Sequence, residues 1–331
     1  MRILVGGQHL DWPAALPARA MVETSIPDAL WDNSAAIKLL TFLGRLDLYE
    51  IRLEFDVDLA TVWAFWRHRE GLSFAPRLLS DIRKVQRALQ DFHYEEPGDA
   101  AKVAKFLIWG SDTDSVFNLG GDLGYFQTLI KRRDYDHLKA YALNCIDACY
   151  TNYCSLHAPV IVGFLVAGDA LGGGMEAALS GDFVVAEEQS KFGLPEMLYG
   201  LFPGMGAYSF LMRRLGQARA EALITGGRLH SAQELHEMGL IERVVAQGTG
   251  RSEMRRQIVR IHRRFNASLA IYNARRRTFP ITFQEMADIV EDWVSVAMRL
   301  TDAELRKMHK LSSAQRRLRA AHPGDGAPQS A

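Results

Sequence analysis

Two glutamates, Glu176 and Glu196, stand twenty residues apart, each carried by a glycine-punctuated turn. The first closes the run Ala167-Gly168-Asp169-Ala170-Leu171-Gly172-Gly173-Gly174-Met175-Glu176. The second ends Gly193-Leu194-Pro195-Glu196, which is followed by Leu201-Phe202-Pro203-Gly204-Met205-Gly206-Ala207-Tyr208. Three glycines at a strand-to-helix junction leave backbone N–H groups bare at a helix N-terminus, where the dipole favours negative charge. Bare N–H groups aimed at a developing oxyanion, with carboxylates close by, are the parts needed for acyl-thioester chemistry. A lone Glu one turn into a helix is ordinarily a cap or a solvent-facing charge. Here both glutamates lie in apolar surroundings beside glycine turns, which favours the chemical reading.

These turns need elements to hold them. Val160–Val166 reads as the buried strand that feeds the triple glycine, and Phe183–Ala186 as the next strand. Upstream, Tyr49–Phe55 and Ala60–Trp66 read as partner strands. Lys105–Gly110 reads as a short buried strand leading to a second glycine turn, Asn118-Leu119-Gly120-Gly121-Asp122-Leu123. Helical spacing runs from Pro76 to Leu89 through Leu78, Leu79, Ile82, Val85, Gln86 and Leu89, and a longer helix spans Asp134–Cys154. Tyr208–Leu215 and Gln217–Ile224 read as helices and Leu240–Val245 as a strand. Asp122 and Asp182 read as caps or turn residues. Beyond Gly250 the pattern is helical, up to a Pro/Gly-rich end. Strands alternating with helices predict an α/β core followed by a helical C-terminal part. The expected division is an N-terminal extension (1–45) with a short helix at Asn33–Leu43, a core (46–248), a helical region (249–321) and a disordered tail (322–331).

Composition bounds the class. The chain has 331 residues, 48% of them hydrophobic, with 39 basic and 39 acidic side chains. That describes an ordinary globular protein able to bury a sizeable core. No apolar run reaches the roughly 18 residues a membrane span needs, and the N-terminus lacks the apolar core of a signal peptide. Three cysteines cannot all pair, which fits a reducing cytoplasm. Nine arginines crowd the stretch from Arg251 to Arg277, against the single acid Glu253. They read either as a solvated helix face or as a docking surface for an acidic partner. Nucleic acid is not expected, because the rest of the chain is not basic and carries no such motif.

Other chemistries find little support. Cys145, Cys149, Cys154 and His157 have partial zinc-like spacing, but a packed helix with small apolar residues is the simpler reading, so no metal is expected. There is no Gly-x-Ser-x-Gly elbow, dinucleotide fingerprint or Walker motif, and no cofactor is expected.

The runs Leu171–Leu179, Gly193–Glu196 and Phe202–Ala207, with Gly120-Gly121-Asp122, resemble the crotonase (enoyl-CoA hydratase/isomerase) superfamily over about residues 48–248. Within it, Gly193–Leu211 and Asn118–Leu123 are similar to the diffusible-signal-factor synthases, which make cis-2-unsaturated fatty acids for quorum sensing. The resemblance implies the ClpP/crotonase fold, repeated ββα units with C-terminal helices that close the acyl site and support a homo-oligomer, a trimer or a multiple of one. It implies oxyanion donors at Gly121 and Gly173. It implies Glu196 as the group that removes the Cα proton of a 3-hydroxyacyl thioester, and Glu176 as the group that assists departure of the 3-hydroxyl, with either then able to activate water for thioester hydrolysis. It further implies an acyl pocket touched by Met205, Trp293 and Leu311.

The implied function is a dehydratase and thioesterase acting on 3-hydroxyacyl chains borne by acyl carrier protein. Coenzyme A enzymes of the superfamily carry an Arg-Pro-x-x-x-Asn-Ala-Leu-like stretch where this chain has His68-Arg69-Glu70-Gly71-Leu72-Ser73-Phe74. That departure leans towards the carrier protein, with the arginine-rich stretch as its landing surface. A sensor kinase's receiver domain is a further implied partner. The alternatives are an enoyl-CoA hydratase/isomerase of fatty-acid metabolism and a non-catalytic acyl-binding regulatory protein.

Overall fold

Ile161–Val166 is buried along its whole length, as an apolar run covered on both faces must be. It is an interior strand of a large sheet in a computed structural model that describes residues 1–6, 8–11, 33–113 and 115–321.

In chain order, β1 (Arg2–Val5) and β2 (Gln8–Asp11) precede α1 (Ser34–Gly44), β3 (Ile51–Asp56), β4 (Thr61–Trp66), α2 (Pro76–Glu95) and α3 (Pro97–Val103). Then come β5 (Phe106–Ser111), β6 (Val116–Asn118), α4 (Leu123–Lys131), α5 (Tyr135–Tyr153), β7 (Ile161–Val166), β8 (Asp169–Leu171) and α6 (Gly173–Leu179). After β9 (Phe183–Glu187) and β10 (Lys191–Gly193) follow α7 (Ala207–Leu215), α8 (Gln217–Gly226), β11 (His230–Ser231), α9 (Ala232–Glu237) and β12 (Arg243–Val245). Four helices complete the described chain: α10 (Gly250–His262), α11 (Phe265–Thr278), α12 (Phe283–Ala297) and α13 (Asp302–Ala321).

The strands divide between two sheets, ordered β12-β9-β7-β5-β4-β3-β1-β2 and β11-β10-β8-β6. The pairs β5–β6, β7–β8 and β9–β10 each give their first strand to the large sheet and their second to the small one. This is the repeated ββα pattern expected. Its consequence is positional, because β6, β8 and β10 run parallel and deliver their C-terminal turns to one edge. Those turns hold Gly121, Gly173 and Glu196.

Sequence and structure differ most at the N-terminus. Only a short helix is expected within residues 1–45. That helix is α1, capped by Asn33, whose side chain accepts the Ala36 N–H. The structure adds β1 and β2, with β1 parallel to β3 and Ile3 fully buried. Such an edge pairing depends on a strand far along the chain, so no local pattern announces it. The strand expected over Leu240–Val245 begins only at Arg243. The tail at 322–331 lies outside the described residues.

The arginine-rich stretch folds back on the sheet. Arg251 pairs with Glu54, Arg255 with Asp56 at 2.9 Å, and Arg275 and Arg276 with Asp182 at 3.2 and 2.5 Å. Arg256 pairs with Glu253 on its own helix. Arg260, Arg263, Arg264 and Arg277 are exposed and make no ion pair among the described residues.

Candidate active site

Gly172 turns β8 into α6 with φ 52°, in the left-handed region that glycine enters without strain. Its N–H donates to the Gly193 carbonyl at 2.8 Å, tying the two glycine turns together. A Cβ on Gly173 would collide with the sulfur of Met205. These glycines are therefore dictated by close approach.

The other turn is braced from behind. Asn118 Oδ1 accepts the Gly120 N–H at 2.8 Å, and the Phe74 N–H donates to the Gly120 carbonyl at 2.8 Å. The Tyr141 hydroxyl donates to the Phe74 carbonyl and accepts the Asp122 N–H at 3.3 Å. The departing stretch His68–Phe74 is thus part of this brace, and its buried His68 bonds the Gly71 and Phe117 carbonyls. Asp122 caps α4 by accepting the Tyr125 N–H. Among the described residues, neither the Gly121 nor the Gly173 N–H meets an acceptor. Both glycines line one cavity.

Glu176 sits in the first turn of α6 and is 1% exposed. One oxygen, Oε1, accepts the Met205 N–H at 2.7 Å and the Ala207 N–H at 2.9 Å, satisfying the start of α7. Glu196 lies in a short 3-10 helix, Pro195–Tyr199. Its Oε2 is buried and has no hydrogen-bond partner among the described residues. Burial raises the Glu176 pKa to about 7 against the pull of its two amide donors. Burial, and then the charge of Glu176, push Glu196 well above its ordinary range. Of the two, Glu176 is the more readily ionised and Glu196 the one that holds its proton to higher pH. The resemblance assigns the base's part to Glu196. The environments order the pair the other way at rest, because two amides, those of Met205 and Ala207, hold the charge of Glu176, while Glu196 has only its own backbone N–H and is opposed by the charge of Glu176.

The cavity has a volume of about 350 Å³ and brings all seven expected residues together: Gly121, Gly173, Glu176, Glu196, Met205, Trp293 and Leu311. Trp293 packs its ring against Phe126 at 5.2 Å and against Gly204. Leu311, Ala314, Gln315 and Leu318 roof the cavity from α13, and Leu229 adds a wall. Gln315 Nε2 donates to the Leu119 carbonyl at 3.0 Å, anchoring the roof to the braced turn. The sequence reading quoted Asn118 as part of the second glycine turn without giving it a role, and missed Tyr141 and Gln315. Tyr141 and Gln315 act on backbone groups through long-range contacts that leave no motif.

Among the described residues, no group of three His, Cys, Asp or Glu side chains could hold a metal ion. Cys145 and Cys149 are buried on α5, where Cys145 lines the cavity. Asp182 is structural, accepting from Ser155 Oγ and the Val162 N–H as well as pairing with the arginines. No described helix is long and apolar enough to cross a membrane.

Residues 90–309 match the family model described as enoyl-CoA hydratase/isomerase. A protein of Rhizobium meliloti (strain 1021) named "Probable enoyl-CoA hydratase" is 34% identical over 165 residues, 50% of this chain and 58% of that one. The crotonyl-CoA hydratase of Syntrophomonas wolfei is 34% identical over 149 residues, 44% of this chain and 54% of that one. The chain therefore spans little more than half the length of these relatives. The crystal structure of enoyl-CoA hydratase from Bacillus halodurans superposes with a TM-score of 0.64 over 80% of this chain and 100% of that one, at 18% identity. An enoyl-CoA hydratase/isomerase from Xanthobacter autotrophicus Py2 gives 0.62 over 83% and 97%, at 19% identity. At such identity the likeness speaks for the fold alone. The family model covers most of the chain and takes in both glutamates and both glycine turns: this protein belongs to the crotonase superfamily of enoyl-CoA hydratases and isomerases.

Proposed function

We propose that the protein is an acyl-thioester hydratase of enoyl-CoA hydratase type, adding water across the Cα–Cβ bond of a 2-enoyl thioester. The observation that carries this is the unequal pair in one apolar cavity: Glu176 accepts two amide N–H groups that favour its charge, whereas Glu196 keeps a buried oxygen with no partner among the described residues. Glu176 takes a proton from water as its oxygen bonds to Cβ. The displaced electron pair moves into the thioester as an enolate, whose oxygen meets the Gly121 and Gly173 N–H groups. As the enolate collapses, Glu196 gives its proton to Cα. Removing one such oxyanion donor typically costs about 10²–10³ in rate. The test is to mix the protein with a 2-enoyl thioester and follow loss of the conjugated chromophore. No loss with any chain length would end this reading.

A second reading runs the pair in reverse, with the shared proton on Glu176. Glu196 then removes the Cα proton of a 3-hydroxyacyl thioester, hydroxide leaves as water with the proton from Glu176, and a second water hydrolyses the thioester. The product is a free cis-2-unsaturated acid, as in the diffusible-signal-factor synthases. Two observations favour it: the apolar side chains of Leu311, Ala314 and Leu318 that α13 sets over the cavity, and the His68–Phe74 stretch committed to bracing the Gly121 turn. An acyl carrier protein would deliver that substrate. Mass spectrometry of what is released from 3-hydroxyacyl carrier protein separates the two, because the hydratase leaves the acyl group attached.

A further inference from the structure

His230 is 4% exposed, and neither of its ring nitrogens meets a hydrogen-bond partner among the described residues. A neutral imidazole has one donor and one acceptor, and leaving both unmet in a folded interior is unfavourable. This side chain lines a second cavity of about 430 Å³, walled by Leu215, Leu223 and Met238 with Arg219 and Arg228 beside it. The nearby carboxylate of Glu234 lies 2.8 Å from Arg228 but 4.0 Å from His230 Nδ1. Arg228 is therefore matched, whereas Arg219 is exposed and makes no ion pair among the described residues. Burial, and then the charge of Arg228, hold His230 below the usual imidazole range, so one ring nitrogen keeps a proton to donate and the other stays bare.

An unmatched guanidinium, a neutral N–H donor and apolar walls complement a single negative charge on a hydrocarbon body. A phosphate would satisfy the cation and leave the walls idle. We propose that this cavity binds a short alkanoate, with its carboxylate between Arg219 and His230 and its chain against Leu223 and Met238. The site is separate from the acyl cavity yet shares a wall with it. Leu229 lines the acyl cavity, while its neighbours Arg228 and His230 line this one. The proposal does not depend on which reaction the glutamates perform.

The test is titration of the whole protein with hexanoate, watched through the ¹⁵N resonances of the His230 ring. Saturable movement of those resonances is expected, with about tenfold weaker binding in Arg219→Gln, the scale of one charge-assisted hydrogen bond. Arg219 is exposed, so this variant keeps its fold. Leu311→Trp, which fills the acyl cavity, is expected to leave the His230 response in place. Silent His230 resonances, equal affinity in Arg219→Gln, or loss of the response in Leu311→Trp would each overturn the site. Inorganic phosphate binding as tightly as hexanoate would overturn the alkanoate assignment.

Discussion

Gly172 leaves no room for a side chain against Glu196: a Cβ built on it would stand 2.5 Å from Oε1 of that glutamate. The turn that presents one donor amide and the acid that faces the substrate are thus fitted to each other. Gly172→Ala would also force a residue with a Cβ into φ 52°, at a cost of about 1–2 kcal/mol. The expected outcome is a lowered melting temperature together with a kcat loss larger than the loss of fold explains. Unchanged kcat in the folded variant would mean that Glu196 is not held by this contact.

Glu176→Gln and Glu196→Gln should each lower kcat by about 10²–10⁴, the usual worth of a positioned acid or base, while KM changes little. Hydration of an enoyl thioester by stopped assay measures both. If both variants bind the thioester and show no kinetic deficit, the cavity serves binding alone.

The pair also fixes a pH dependence. Glu176 must be ionised to act on water and Glu196 must hold its proton, so kcat/KM should rise through about 7 and fall at higher pH. Stability follows from the same groups. Both have folded pKa values above their ordinary ones, so the native state binds the proton more tightly and stability declines as pH rises from the ordinary carboxylate range. Glu196→Gln is expected to raise the melting temperature at pH 8 and to do little at pH 5. The reverse ordering, measured by thermal unfolding at the two pH values, would contradict the assigned protonation.

Much of this site is legible in the chain itself. Gly121, Gly173, Glu176 and Glu196 fall in one cavity because β6, β8 and β10 are neighbouring parallel strands whose turns must share an edge, while Trp293 and Leu311 reach it from α12 and α13. What the sequence hides is long-range and non-periodic. Glu54 and Arg251 meet across the chain, so five of the nine arginines are already matched, which spacing alone cannot reveal. The ionisation order of the glutamates depends on two amide donors from the Met205–Ala207 turn. Neither appears as a motif.

Leu311 is partly buried and lines the cavity from α13. Leu311→Trp should shorten the preferred acyl chain, and Leu311→Ala should lengthen it. Relative kcat/KM across a ladder of thioesters is the measurement, and an unshifted profile would remove Leu311 from the acyl path.

If a carrier protein delivers the substrate, the unmatched cations Arg260, Arg263, Arg264 and Arg277 are its landing points. Replacing them with serine should raise KM for the acyl carrier substrate severalfold, more at low salt than at high. A short thioester analogue should be unaffected. An unchanged KM for the acyl carrier substrate would refute docking at this surface.

The hydrogen bond from Gln315 to the Leu119 carbonyl has a mechanical meaning. Lifting α13 to admit a guest must tug on the peptide leading to Gly120, and faster amide exchange there in Gln315→Ala would register the link. Under the proposed function, entry and polarisation would then exclude one another. An enolate formed behind a closed door would meet the Glu196 proton rather than those of the surrounding bath.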